Sequence, residues 1–159
     1  MAIEKVREYF KQFNIEDKIQ EFNVSSATVE LASKALNCEP ARIAKSLSFI
    51  VLDKPLIIVV AGNVKISNSK FKHQFNTKAK MIPFENTEKL VGHAAGGVCP
   101  FGINEDVDVY LDISLKNYLT VFPACGSSNS AIELTISELE RFSQNFKGFV
   151  DVGQDTTIN

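Results

Sequence analysis

The sequence has no tryptophan, only three cysteines in 159 residues, and no excess of positive charge. Cys38, Cys99 and Cys125 are odd in number and form no CxxC pair, so we expect reduced thiols in a cytoplasmic protein. The formal net charge of −2 excludes a generally basic nucleic-acid binder, and we expect no DNA partner. The longest apolar runs, such as 56–62, are too short to cross a bilayer, so no membrane association is expected.

Signatures of metal and nucleotide sites are also missing. The sequence contains neither an HExxH motif nor a glycine-rich GK[ST] loop. The two histidines, His73 and His93, do not combine with the cysteines at a spacing that favours metal binding. We therefore expect no metal ion and no cofactor.

What is present is typical of a globular protein. Hydrophobic residues make up 45% and charged residues 23%, which indicates a single domain over 1–159, with residues 154–159 as a loose tail. The chain has 12 phenylalanines, so we expect a core of Phe, Ile, Leu and Val.

Hydrophobic periodicity predicts an α/β protein of the α+β type. Helices are expected over 2–14, from Ser25-Ser26 to Asn37, over 67–76 and from Thr135 to about Phe146, with shorter helical segments at 39–45 and 86–91. Strands are expected over 18–22, 46–52, 56–61, 80–84, 107–111, 119–123, 131–134 and 149–152. Since βαβ alternation is rare, we predict a mixed, curled sheet surrounded by helices.

The segment Gly92–Gly102, called here the glycine-rich loop, holds four glycines and a proline in eleven residues. It is neither an ordinary helix nor a central strand. One hypothesis is a shaped wall whose backbone N–H groups face a ligand. The other is a tight connection between a helix and the next strand.

A second unusual segment spans residues 65–80, which contain five lysines and no acidic residue. Such a segment is either a solvated helix surface or a patch that faces phosphates. We call these five residues the lysine group: Lys65, Lys70, Lys72, Lys78 and Lys80.

Two further features carry possible chemistry. Lys45 lies at the junction of a short helix and an apolar strand, where it could hold a phosphate or a sugar hydroxyl, or simply extend from the edge of the core. Cys99 and His93 could act as nucleophile and base, or could be a buried thiol beside a loop histidine.

Several motifs together resemble the YbaK family, which includes the ProX proteins and the editing domain of bacterial prolyl-tRNA synthetases. The resemblance covers about residues 5–147 and is carried, in order and spacing, by residues 25–32, 42–47, 96–102 and 131–134. It implies a YbaK-like fold and hydrolysis of the ester bond of a mischarged tRNA.

The resemblance also assigns roles to residues. Lys45 matches a lysine that binds the terminal adenosine of the tRNA, and Gly96 and Pro100 match a GxxxP loop that lines the aminoacyl pocket. We expect catalytic roles for Lys45, Gly96 and Gly97. Substrate contacts are expected from Phe22, Ser46, Val98, Cys99, Pro100, Phe101, Ala124, Gly126 and Ser127.

The sequence departs from family members that act on cysteinyl-tRNA. Those members carry a tyrosine near Phe22 and a serine near Ala124, and both hydroxyls are absent here. The late loop, residues 126–129, also lacks the basic residues of those members. The resemblance therefore leaves the amino acid open.

The combined expectation is a deacylase that removes a small, wrongly attached amino acid from tRNA in trans. Its partners would be the acceptor end of aminoacylated tRNA, guided by the lysine group, and an aminoacyl-tRNA synthetase. Two alternatives stay open: a non-catalytic module that binds tRNA or nucleotides, and a hydrolase that uses Cys99 or Cys125.

Overall fold

Residues 2–156, the part of the chain that the computed structural model describes, form five α-helices and ten strands. The helices are α1 (Ala2–Lys11), α2 (Val29–Leu36), α3 (Asn68–Phe75), α4 (Thr87–Val91) and α5 (Ile136–Phe142). The strands are β1 (Gln20–Glu21), β2 (Ile43–Val51), β3 (Lys54–Ala61), β4 (Val64–Ile66), β5 (Asp108–Asp112), β6 (Thr120–Pro123), β7 (Ser130–Ala131), β8 (Leu134–Thr135), β9 (Phe146–Val150) and β10 (Gly153–Asp155). Short 3₁₀ helices occupy Glu16–Lys18, Pro40–Arg42, Phe84–Asn86 and Ile113–Asn117.

A six-stranded mixed sheet in the order β8-β6-β2-β3-β5-β9 forms the centre of the fold. The predicted hairpin is its middle: β2 and β3 pair antiparallel through a turn in which Leu52 and Asp53 both have positive φ. Strands β5 and β6 join this hairpin in parallel, one on each side. The predicted α+β class with a mixed, curled sheet is therefore confirmed.

The core lies on both faces of this sheet. On one face, α1, α4, α5 and the glycine-rich loop pack over the sheet, with the rings of Phe10 and Phe101 4.7 Å apart. On the other face, Phe71 of α3 packs on Phe49 of β2 at 5.0 Å. Aromatic and branched aliphatic side chains fill both layers, as the composition predicted.

Two small strand pairs attach the outer segments to this frame. Strand β1 pairs with β7, and β10 pairs with β4, both antiparallel. Gln154 and Asp155, expected in a loose tail, therefore belong to β10, whereas residues 157–159 lie outside the described residues. Within residues 2–156, no helix combines the length and the apolar character needed to cross a membrane.

Several helix boundaries differ from the prediction. Helix α1, expected over 2–14, ends at Lys11. Helix α2 does not begin at Ser25-Ser26, because the side chain of Thr28 caps it by accepting from the N–H of Leu31. The segment 43–45 is strand, not helix, because Ile43 and Ala44 pair with β6. Helix α5 starts at the predicted Thr135 capping box but ends at Phe142.

Several strand predictions were also inaccurate. The segment 80–84 makes only an isolated bridge between Met81 and Phe49. The strand expected over 131–134 is split between β7 and β8, and the last predicted strand begins earlier, at Phe146. Short strands of this kind are set by neighbouring segments more than by their own sequence.

Candidate functional site

A gap in the pairing along one edge of β2 opens into a cavity of about 370 Å³. Strand β6 pairs with β2 only at Ile43 and Ala44. Pairing on this edge resumes at Ser48, whose carbonyl oxygen accepts from the N–H of Ile82 at 3.1 Å. The cavity lies beside the intervening residues 45–47.

Five segments enclose the cavity. Its lining residues come from the α2 start, from β2, from the segment before and within α4, from the glycine-rich loop and from the region of β6 and β7. They are Ser26, Ala27, Thr28, Val29, Ala32, Ile43, Ala44, Lys45, Ser46, Leu47, Ser48, Met81, Ile82, Phe84, Thr87, Ala95, Gly96, Val98, Phe122, Ala124, Ser130 and Ala131.

Ser46 is the least satisfied polar residue of this wall. Its Oγ is buried and has no hydrogen-bond partner within the described chain. Two other hydroxyls of the wall are bonded: Thr87 Oγ1 donates to the carbonyl oxygen of Pro83 at 3.1 Å, and Ser130 Oγ lies 2.6 Å from Ser127 Oγ. An unpaired buried hydroxyl costs about 1–3 kcal/mol, so a ligand that pairs with Ser46 relieves this cost.

Lys45 also borders the cavity, although its side chain leaves the opposite face of β2 from that of Ser46. Both reach it because the cavity lies at the strand's edge. Lys45 Nζ donates to the carbonyl oxygen of Val64 at 2.7 Å, which fixes the position of the ammonium group. Burial lowers the pKa of Lys45 below its ordinary value.

The glycine-rich loop presents one side to the cavity, through Ala95, Gly96 and Val98. The N–H of Gly97 donates to the carbonyl oxygen of Ala94 at 3.0 Å and closes a tight turn with Gly96 at its third position. Gly96 has a φ of +95°, which favours glycine there. A Cβ at Gly96 would lie 3.5 Å from the Cβ of Ala27, so space is not the constraint.

The other side of this loop is buried. Cys99 and Phe101 are fully buried, Pro100 is buried beside them, and none of the three is in the cavity wall of the described chain. Gly97 also lies away from the cavity, and a Cβ on it would stand 2.8 Å from backbone atoms of Gly126 and Ser127. These residues support the wall from behind.

The pair of Cys99 and His93 does form, but inside the core. Cys99 Sγ lies 3.4 Å from His93 Nε2, and this nitrogen lies 2.6 Å from the carbonyl oxygen of Phe101. Burial raises the pKa of Cys99 to about 12, and burial also raises the pKa of Cys125 well above its ordinary value. Neither thiol is exposed, so neither is placed or ionised as a nucleophile.

The remaining residues expected to contact substrate also divide into one that lines the cavity and others that lie behind its wall. Ala124 lines the cavity. Ser127 is occupied by its hydrogen bonds to Ser130 and Asn129, and the backbone of Gly126 lies against the Cys99 thiol. Phe22 packs with Phe122 and Ala131, which are themselves lining residues, and thus stands one layer behind the cavity.

The lysine group is exposed but is not uniform. The positive charge of Lys70 is balanced by Asp151, which lies 3.0 Å from Lys70 Nζ. The same Nζ donates to the carbonyl oxygen of Gly153. Within residues 2–156 no ion pair is recorded for Lys72, Lys78 or Lys80. Lys80 directly precedes Met81, so this end of the group is adjacent to the cavity.

Sequence reasoning missed part of the wall, above all Ala27 to Val29, Ala95, Met81 and Phe84. Phe84, a large apolar residue directly after Pro83, could have indicated this part of the wall, but residues 80–84 were predicted to be a strand. No group of three potential metal ligands occurs among the described His, Cys, Asp and Glu residues.

Comparisons with known proteins agree with this geometry. Residues 24–142 match the family model of the aminoacyl-tRNA editing domain. The "Uncharacterized protein YwhH" of Bacillus subtilis is 49% identical over 156 residues, covering 98% of this chain and 99% of that protein. The proline–tRNA ligase of Bacillus cytotoxicus is 26% identical over 114 residues, which cover 71% of this chain but 20% of the ligase.

Two further relatives bear on the fold and the family. The "Putative Cys-tRNA(Pro)/Cys-tRNA(Cys) deacylase EbsC" of Enterococcus faecalis is 27% identical over 109 residues, covering 67% of this chain and 66% of that protein. The crystal structure of "a putative trans-editing enzyme for prolyl tRNA synthetase" superposes with a TM-score of 0.85 at 25% identity, covering 96% of this chain and 97% of that one. Because residues 24–142, most of the chain, match this family model, the protein belongs to the aminoacyl-tRNA editing domain family.

Proposed function

We propose that this protein is a trans-editing deacylase that hydrolyses the ester bond of a tRNA carrying a small, wrongly attached amino acid. The observation that carries this proposal is the cavity in which Lys45, the unpaired hydroxyl of Ser46 and the glycine-rich loop meet. The family supplies the reaction class, and the cavity supplies the expected size of the acyl group.

The acyl group enters between apolar and hydroxyl-bearing walls. Val98, Ala124 and Ala131 leave room for a short side chain and bury its apolar atoms. Ser46 Oγ pairs with a polar atom of the bound aminoacyl group and gains the hydrogen bond that it lacks in the free protein. The cavity is near the lower limit of small-molecule sites, which favours a small amino acid.

Catalysis rests on positioning and on stabilisation of charge. An aminoacyl ester is already activated, and water is the attacking species, with the ribose hydroxyl of the substrate beside it. Backbone N–H groups on the cavity side of the glycine-rich loop, beside Gly96, stabilise the negative charge on the ester oxygen, at about 2.7–4 kcal/mol for each donor. The N–H of Gly97 is not among them, because it is already bonded to Ala94. Lys45, fixed by Val64, holds the terminal adenosine.

The lysine group guides the acceptor end electrostatically. Lys78 and Lys80 are the members nearest in sequence to the cavity, and they have no recorded ion pair in the described chain. Phosphate contacts of this kind make binding fall steeply with salt. A synthetase is a second expected partner, and the cytoplasm is the expected compartment.

A cysteine-dependent hydrolase is the weaker alternative. It would require Cys99 or Cys125 to reach the substrate as a thiolate, but both are fully buried and both have a raised pKa. A non-catalytic binding module is the other alternative, and turnover alone separates it from the deacylase.

The decisive experiment incubates the protein with a panel of mischarged tRNAs and measures free amino acid release. We expect release of a small amino acid, and at least a tenfold lower rate for Lys45→Ala, equivalent to about 1.4 kcal/mol. Lys147→Ala is the matched control, because Lys147 is half exposed on β9, three strands away from β2. Tight tRNA binding without any release would overturn the deacylase, as would a folded Lys45→Ala variant at full rate.

A further inference from the structure

Two large apolar side chains stand exposed at the mouth of the cavity. Phe84 is 77% exposed and Met81 is 56% exposed, and both contribute to its lining. Exposed apolar side chains grouped beside a binding cavity indicate a surface that is covered by a ligand. Among the described residues Phe84 pairs with no other aromatic ring, and its high exposure leaves the ring accessible to a ligand.

The backbone that carries Phe84 is fixed on both sides. Ile82 is bonded to Ser48 of β2, as described above. On the other side, the N–H of Asn86 donates to the carbonyl oxygen of Pro83 at 2.9 Å, and the N–H of Thr87 donates to that of Phe84. An exposed ring on an anchored backbone loses little conformational freedom when a ligand covers it.

We propose that Phe84, flanked by Met81, is the stacking platform for the terminal nucleobase of the tRNA. This inference rests on the proposed function. The ester joins the amino acid to the same ribose that carries the terminal base. When the acyl group fills a cavity of about 370 Å³, the base must therefore lie at its mouth. Aromatic side chains bind single-stranded bases by stacking, without need of a specific edge.

The charge around this position suits a nucleic-acid strand. Lys80 and Lys78 precede Met81 and are exposed, so cations lie on the path that the neighbouring phosphates would take. A protein partner such as a synthetase could also cover an exposed phenylalanine, but it would not require the phenylalanine to border the acyl cavity.

The test uses two charged minihelices that differ only at the last nucleotide, one with a terminal adenosine and one with an abasic ribose. On the adenosine substrate, Phe84→Ala should lower the single-turnover kcat/KM about tenfold, and Phe84→Trp should retain most of it. On the abasic substrate, wild type and Phe84→Ala should be equal. Leu119→Ala is the matched control, because Leu119 is 92% exposed and lies outside the cavity wall.

A second readout does not depend on turnover. An uncharged minihelix with 2-aminopurine at its terminal position should lose fluorescence when it binds the wild-type protein, and should lose much less with Phe84→Ala. This arm remains informative if no charged tRNA is hydrolysed, which would overturn the proposed function alone.

Three results would overturn the stacking platform. They are an equal loss of activity by Phe84→Ala on both substrates, bound 2-aminopurine with unchanged emission, and a Phe84→Ala defect that appears only when a synthetase is added.

Discussion

The two sides of the glycine-rich loop contrast sharply, although they alternate within eleven residues. Ala95, Gly96 and Val98 border the cavity, whereas Gly97, Cys99 and Phe101 pack into the core. The core side is rigid because backbone and ring contacts surround it. These buried contacts also hold the cavity side in position, so no bound ligand is needed to fix it. One short segment thus combines a fixed support with an open surface, and substitutions on its two sides should separate stability from activity.

The largest expected effect comes from removing the ring of the core side. Phe101→Ala should lower the free energy of unfolding by about 3–5 kcal/mol, because its fully buried ring packs on Phe10. Denaturant unfolding measures this loss. Phe84→Ala, which truncates an exposed ring of the same type, serves as the control and should change stability by less than about 0.5 kcal/mol.

Adding a methyl group at Gly97, on the core side, should have the next largest effect on stability. Gly97→Ala places a Cβ 2.8 Å from the backbone of Gly126 and Ser127, and we expect a loss of about 1–3 kcal/mol in the free energy of unfolding. Thermal and denaturant unfolding measure it. A Gly97→Ala variant as stable as the wild type would mean that the support behind the wall is not tightly packed.

Adding a methyl group at Gly96, on the cavity side, should mainly lower the rate of deacylation. Gly96→Ala has room for its Cβ, and only the positive φ should cost stability, by about 1 kcal/mol. Its single-turnover deacylation should fall about tenfold, because the turn that orients the N–H groups is disturbed. If Gly96→Ala loses more stability than Gly97→Ala, the assignment of the two sides is reversed.

The smallest expected effect is a pH dependence that originates in the core side. Burial lowers the pKa of His93, so the unfolded chain takes up a proton near its ordinary value of 6.5 while the folded protein does not. The free energy of unfolding should therefore fall by up to about 1 kcal/mol between pH 7 and pH 5.5. In His93→Gln this slope should disappear, whereas His73→Gln, at an exposed histidine, should retain it.

The sequence was sufficient for the features that depend on local periodicity. The β2–β3 hairpin, helix α3 with Phe71 inward and the Thr135 capping box were all predicted, because each is encoded by neighbouring residues. The start of α2 was misplaced, since several adjacent residues, Ser25, Ser26 and Thr28, can each cap a helix, and only the tertiary path of the chain selects Thr28.

The site was less accessible from the sequence than the fold. Lys45, Ser46 and Gly96 were predicted to be site residues. For residues 92–102, however, the sequence does not indicate which side chains face the cavity and which face the core. That depends on the gap between β6 and the segment 80–82, which is a property of strand pairing over long sequence distances. For the same reason Phe84 was missed, because its exposure arises only once Pro83 and Thr87 anchor its backbone.

The support of the site extends beyond residues 24–142, which carry the family likeness. Helix α1 lies outside this range, yet Lys5 Nζ donates to the carbonyl oxygen of Gly92 at 3.3 Å at the start of the glycine-rich loop. Strand β10 also lies outside it and pairs Asp155 with Val64, whose carbonyl oxygen holds Lys45. The structural unit that supports the site is therefore larger than residues 24–142. A graft limited to those residues would carry Lys45 and Val64 without β10, the strand that pairs with Val64.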